Sequence, residues 1–190
     1  MFQAVDAVQP PQDRQEESRF RQLYEEHGRE ILAYALRRVE DPDDAADVLA
    51  DTFLVAWRRA GDVPAGDEAR LWLYGVARRV LANRRRGDRR RQRLDKRLRA
   101  EVATAPGEHL HAEESAQVLA ALARLEPADR ELIRLAAWEE LGPKEIASVL
   151  GISAVAARSR LHRARQRLRH QLALGAGHER QENSETEEGK

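Results

Sequence analysis

The sequence predicts an all-α fold, two small helical domains joined by a flexible linker, and three observations predict it. Apolar residues recur at three- and four-residue intervals along most of the chain, the spacing of helix faces packed on a core. No apolar–polar alternation persists long enough to suggest a strand. Near the middle, residues 103–107 (ATAPG) and the EHLHAEES that follows break the helical period, which is how a linker reads.

Taken in order, residues 1–17 hold Gln, Pro and charge without periodicity and are expected to form a disordered leader. Phe20, Leu23, Tyr24, Ile31, Tyr34, Ala35 and Val39 then give a helical spacing interrupted only by Gly28. Asp41 and Pro42 start a second helix as N-cap and first-turn proline, with Asp43 and Asp44 against the positive end of the dipole. That helix should run to about Arg59 and turn Ala45, Leu49, Thr52, Phe53 and Ala56 inward.

Residues 60–67 (AGDVPAGD) should form a loop. A third helix, from near Glu68, carries Leu71, Trp72, Leu73, Val76, Val80 and Leu81 and is expected to dissolve into an arginine run. Beyond the linker, helices are expected at 112–125, 128–138, 143–150 and 154–171. The layout is therefore a leader at 1–17, a first domain at 18–99, a linker at 100–115, a second domain at 116–174 and a disordered acidic tail at 175–190.

An apolar fraction of 42% is enough for a core, while 35% charged residues suit small, surface-rich helical units. The formal charge is zero by cancellation only. Twelve basic residues lie between Arg78 and Arg99, opposed by Asp88 and Asp95, while acids gather at 41–51 and after Glu179. Such segregation suits a chain that meets a polyanion on one surface and a basic protein on another. With no cysteine, disulfides, thiolate zinc sites and a cysteine nucleophile are excluded. No apolar run approaches the roughly 20 residues of a membrane span, and the N-terminal residues lack the basic start and apolar segment of a signal peptide. A cytoplasmic protein is expected.

The most informative stretch is LGPKEIASVLGISAVAARSRLHRARQRLR, residues 141–169. Gly142 and Pro143 open one helix, Ala147 permits a close crossing, Gly151 sits where a turn needs positive φ, and Ser153 caps the next helix. Ala157, Leu161, Ala164 and Leu168 form an inward stripe, leaving Arg158, Ser159, Arg160, His162, Arg163, Arg165 and Arg167 on the other faces. This is a helix-turn-helix: residues early in its second helix reach base edges and later arginines reach phosphate. A plain amphipathic hairpin with a solvated face is the bland rival, and the consistent spacing of small residue, turn glycine and cap favours DNA binding.

Upstream, Asp44, Asp47 and Asp51 line one side of the second helix, as a solubilising surface or as a docking face for a basic partner. Trp72 leads into the arginines either as core or as a stacking platform for single-stranded bases. Composition leaves the first choice open, and for Trp72 taken by itself it favours core.

With both halves in view, the chain resembles a sigma factor of the extracytoplasmic-function group, small subunits that give bacterial RNA polymerase its promoter specificity. DPDDAADVLADTFLVAWRR with RLWLYGVARRVLANRRR is similar to the group's second conserved region, and LARLEPADRELIRLAAWEELGPKEIASVLGIS with AVAARSRLHRARQRLR to its fourth. The resemblance implies that the 41–59 helix docks on the clamp helices of the polymerase beta-prime subunit through Asp44, Asp47, Asp51, Thr52 and Phe53. It also implies that residues 72–86 and the preceding loop hold the melted minus-10 element of promoter DNA, with Trp72, Arg79, Asn83, Arg84 and Arg86 as contacts. Ser153, Ala156, Arg158, Ser159, His162 and Arg163 would read the minus-35 element. An anti-sigma partner is implied too. The chain departs from the pattern at Arg79, where asparagine is usual, at Ala154–Ala157, where Gly-Thr-Val is favoured, and at Gly142, where serine is commoner.

Two other classes are weighed against this. A helix-turn-helix regulator acting without polymerase would bind a symmetric operator tightly by itself. An enzyme is the weakest reading: His27, His109, His111, His162, His170 and His178 share no metal-ligand spacing with carboxylates, no nucleophile–base pair is visible, and no cofactor is called for.

Overall fold

The computed structural model describes residues 14–95 and 112–188. Among them every regular element is a helix: α1 (Arg14–Leu36), α2 (Pro42–Arg58), a single 3₁₀ turn (Ala60–Asp62), α3 (Asp67–Asp95), α4 (Ala112–Arg124), α5 (Pro127–Ala137), α6 (Pro143–Leu150) and α7 (Ala154–Glu188). The chain divides into two compact units, one within residues 1–105 and one within 106–190.

In the first unit α1, α2 and α3 each pack on the other two. Their shared core is Ile31, Tyr34 and Ala35 of α1, Ala45, Val48 and Ala56 of α2, and Leu73, Val76, Ala77 and Leu81 of α3. Each large aliphatic side chain so buried contributes about 1.5–3 kcal/mol. Tyr34 and Tyr74 stack at 5.2 Å between ring centroids. Arg38, though buried, lies 3.5 Å over the Tyr34 ring and donates to the Tyr34 carbonyl at 2.9 Å. Asp41 caps α2 as its sequence demands, accepting from the Asp43 amide at 2.9 Å.

In the second unit α7 is the common partner, contacted by α4, α5 and α6. Ala157, Leu161 and Ala164 form its buried stripe, while Leu168 is half-buried. Arg130 fastens the end of α4 by donating to the carbonyls of Leu122 (2.9 Å), Ala123 (2.5 Å) and Leu125 (3.0 Å), a cation on the negative end of a helix.

Several expectations are corrected. The inward register of α2 runs through Val48, fully buried, and Leu49 is only half-buried. Helix α1 begins at Arg14, inside the expected leader, because Glu16 and Glu17 suit the first turn and Glu17 pairs with Arg21 at 3.3 Å; residues 1–13 lie outside the described residues. Helix α3 does not dissolve at the arginines but runs through them to Asp95. Residues 112–115 of the expected linker belong to α4, and 96–111 lie outside the described residues. Helix α7 continues through 175–188 of the tail expected to be disordered. For α3 and α7 the reason is shared: Arg, Glu and Gln are good helix formers, and extending an existing helix needs no new nucleus.

Candidate nucleic-acid interface

The helix-turn-helix is α6 and α7. Pro143 starts α6, and the Glu145 carboxylate reaches back to accept from the Gly142 amide at 2.7 Å. Gly151 ends α6 at φ 65°, ψ 40°. Around it the Ile152 amide donates to the Ala147 carbonyl at 3.0 Å and the Gly151 amide to that of Ser148 at 3.3 Å, the paired bonds of a Schellman turn. Two residues later the Ser153 hydroxyl accepts from the Ala156 amide at 3.2 Å and α7 is under way. Hydrogen bonds between near neighbours in the chain therefore define both ends of the turn that joins the two helices.

Opposite the buried stripe of α7, Ser153, Arg158, Ser159, His162 and Arg163 are exposed and Ala156 is half-buried at the edge. At about 100° per residue, Arg158, Ser159 and His162 share one outward arc. Val155 shares it as well and is 72% exposed, an apolar side chain held out to solvent at the start of the helix. Val155 is absent from the expected base-contacting set, and its offset from the Ala157, Leu161 and Ala164 stripe is the signal that locates it. Arg167 departs from the expected phosphate-reaching set. It pairs with Asp129, whose side chain is only 10% exposed at the start of α5, and so ties α7 to α5.

In the first unit, Trp72, Arg79, Asn83 and Arg86 fall in one arc of α3 roughly 60° wide. Arg79, Asn83 and Arg86 are exposed and Trp72 is half-buried. Arg86 donates to Asn83 Oδ1 at 2.5 Å. The loop before α3 is pinned by Arg19, which donates to the Val63 carbonyl at 2.7 Å, and by an Arg59–Asp62 pair at 2.8 Å. An open cavity of about 270 Å³ lies between this loop and α1, lined by Arg19, Phe20, Val63, Pro64 and Gly66 among others.

Arg84 does not share that arc; at about 100° per residue it sits a quarter turn or more further round α3, facing α2. There its guanidinium meets Asp47 at 2.8 Å, Asp44 at 3.0 Å and Asp51 at 3.4 Å. Asp47 foremost holds the Arg84 pKa above the ordinary arginine value; burial opposes it, and Asp44 adds to the rise. A raised basic pKa means that the interaction is complete at and below the ordinary arginine pKa and fails only above the folded value, so Arg84 is charged throughout the neutral range. Arg85, by contrast, donates to the Arg38 carbonyl at 3.0 Å, joining α3 to the end of α1.

Two residues of the expected polymerase-docking set are buried. Thr52 has no exposed surface and donates from its hydroxyl to the Val48 carbonyl at 2.6 Å. Phe53 is 3% exposed and packs edge-on against Tyr24 at 4.8 Å and Phe20 at 6.1 Å. Thr52 therefore cannot be presented to a partner as the aspartates can, and Phe53 can be met only at the bottom of a groove. Phe53 instead floors an open apolar groove of about 560 Å³ with Phe20, Tyr24, Ala50, Leu54 and Trp57.

Comparison with known proteins covers both units. The profile described as Sigma-70 region 2 matches residues 23–91, and that described as Sigma-70, region 4 matches residues 115–168. The RNA polymerase sigma factor NccH of Alcaligenes xylosoxydans xylosoxydans is 34% identical over 157 residues, covering 78% of this chain and 84% of that protein. The ECF RNA polymerase sigma factor SigL of Mycobacterium tuberculosis is 35% identical over 155 residues, covering 78% and 86%. Among solved structures, CnrH in complex with the cytosolic domain of CnrY superposes with a TM-score of 0.57 at 28% identity, over 83% of this chain and 90% of that one. The sigma factor RpoE in complex with the anti-sigma factor NepR from Bartonella quintana gives 0.65 at 22% identity, over 82% and 98%, a likeness of fold.

Proposed function

The chain belongs to the sigma-70 family as an extracytoplasmic-function sigma factor, and on that premise we propose how its surfaces share the work. A sigma factor directs RNA polymerase to promoters; it is a transcription initiation factor rather than a catalytic enzyme. In our reading the α2 row of Asp44, Asp47 and Asp51 docks on the beta-prime clamp helices of core polymerase, with buried Thr52 and Phe53 supporting that helix from beneath. Trp72, Arg79, Asn83 and Arg86 hold the melted minus-10 strand, the tryptophan offering a stacking face and the arginines backbone contacts. The α7 face of Ser153, Ala156, Arg158, Ser159, His162 and Arg163 enters the minus-35 major groove, with Val155 beside it. The first domain, about 18–99, and the second, about 116–174, are thus two modest DNA contacts on one tether, each raising the effective concentration of the other.

The observation that carries this reading is the pairing, in one chain, of an outward basic face on a helix-turn-helix with a separate exposed Arg79–Asn83–Arg86 row on α3. A regulator that acts without polymerase needs only the first and is not favoured. We include a partner of the anti-sigma class in this reading; the sigma factor RpoE, whose fold this chain shares, is in complex with one. No described helix is long and apolar enough to cross a membrane, and we place the protein in the cytoplasm, where polymerase works.

Run-off transcription from a genomic library, with core polymerase alone and with the chain added, tests the function. Promoter-dependent transcripts are expected only when the chain is present; their absence from every template refutes the proposal. Gel shifts with and without core separate the rival, which requires tight operator binding by the free protein.

A further inference from the structure

The acidic row of α2 already holds a guanidinium, and it is the chain's own. We propose that Arg84 is an exchangeable latch: basic side chains of polymerase displace it from Asp44, Asp47 and Asp51, and the freed Arg84 joins the strand-holding face of α3. The proposal rests on the reading of α2 as the docking helix and α3 as the strand-holding helix.

Three features of the geometry support exchange rather than a fixed structural bridge. First, three carboxylates converge on one cation, at 2.8, 3.0 and 3.4 Å. One positive charge leaves the row with surplus negative charge, so it still attracts a more highly charged basic partner. Second, every participant is accessible: the Arg84 side chain is 30% exposed, and Asp44, Asp47 and Asp51 are 52%, 65% and 52% exposed. Exposed pairs are individually weak, so exchanging one guanidinium for another carries little penalty. Third, Arg84 follows Asn83 directly on α3 and lies about 100° round the helix from it, so a swing of its long side chain across that arc brings the guanidinium toward the outward row. Once released, its guanidinium can reach a phosphate bound at the Asn83 edge of that row.

The two ligands of Arg84 are mutually exclusive, because one guanidinium cannot satisfy both the carboxylates and a phosphate. Occupying the acidic row therefore strengthens strand binding, and strand binding makes the row more receptive to polymerase by the same factor. Free protein would hold the basic helix partly self-neutralised, and the assembled enzyme would not.

The test uses the full chain. Affinity for core polymerase is measured for the wild-type chain, Arg84→Ala and Arg84→Gln. Affinity of the free chain for a fluorescent single-stranded oligonucleotide at low salt is measured for wild type, Asp44→Asn/Asp47→Asn, Arg84→Ala and the triple variant. Both Arg84 variants are expected to bind core about 3- to 10-fold more tightly, since a competitor for the row is gone. The paired asparagines are expected to bind the oligonucleotide about 3- to 10-fold more tightly, and that gain should largely vanish when Arg84 is alanine. Core binding that is unchanged or weakened in both Arg84 variants overturns the latch, since a bridge that merely organises the row gives that sign. An oligonucleotide gain that survives undiminished in the Arg84→Ala background also overturns it, since removing negative charge would then act through the general field alone. Failure of the wild-type chain to bind core refutes the docking role of α2, while the oligonucleotide cycle still judges the exchange.

Discussion

Replacing Gly151 with alanine perturbs the backbone of the helix-turn-helix and little else. A Cβ built at this position meets nothing within 4 Å, so no packing clash contributes. What remains is the left-handed conformation, φ 65° and ψ 40°, which disfavours a residue bearing a Cβ by roughly 1–2 kcal/mol. Alanine also stiffens the unfolded chain, offsetting about 0.4–1 kcal/mol. The net loss is on the order of 1 kcal/mol, or about fivefold in the opening equilibrium. Asparagine, whose short polar side chain tolerates this region, should lose less. Amide hydrogen exchange of α6 in the full chain reads the difference directly, because the Ile152 and Gly151 amides donate the bonds that close the turn. Exchange should speed up in the order wild type, asparagine, alanine. Alanine indistinguishable from wild type, or asparagine as damaging as alanine, would refute the claim that backbone conformation alone sets the requirement.

Further outcomes test the surfaces. Arg158→Ala or Arg163→Ala in reconstituted holoenzyme should lose about 1–3 kcal/mol at particular upstream base pairs; equal loss on all sequences would reassign that side chain to phosphate. Val155→Gly should remove a contact worth about 1 kcal/mol to a thymine methyl, so replacing upstream thymines by uracil should weaken the wild type and leave the variant unaffected. Asp47→Arg should abolish co-elution with core polymerase while circular dichroism stays helical; retained binding would return the acidic row to a solubilising role. Arg167→Ala strands a nearly buried Asp129 carboxylate and should destabilise the second unit by about 1–3 kcal/mol, seen as faster exchange along α7.

What could be read from the chain was local. Asp41–Pro42, Gly151 and Ser153 announce helix ends because each satisfies or frees backbone groups within a few residues of itself. The inward stripe of α7 was legible for the same reason, being a period on one helix. Pairings across long separations were not. Arg84 and Asp47 lie 37 residues apart, and nothing in either neighbourhood distinguishes an arginine aimed at an aspartate from one aimed at a phosphate. Arg167 and Asp129, 38 residues apart, are the same case. The one-residue slip from Val48 to Leu49 shows the other limit: two adjacent apolar residues fit one stripe, and only the packed neighbours choose between them. Polarity misleads at 175–188, where charge suggests disorder although half of the segment is Glu, Arg or Gln and it continues a helix already formed.

Helix α7 is at once the reading head and the keel of its unit, since α4, α5 and α6 all lie against it. Its first turns therefore cannot melt and re-form on their own; loosening them means loosening the whole unit. A rigid probe of this kind meets the groove without an ordering penalty, so errors in sequence register are felt as lost contacts rather than absorbed by bending.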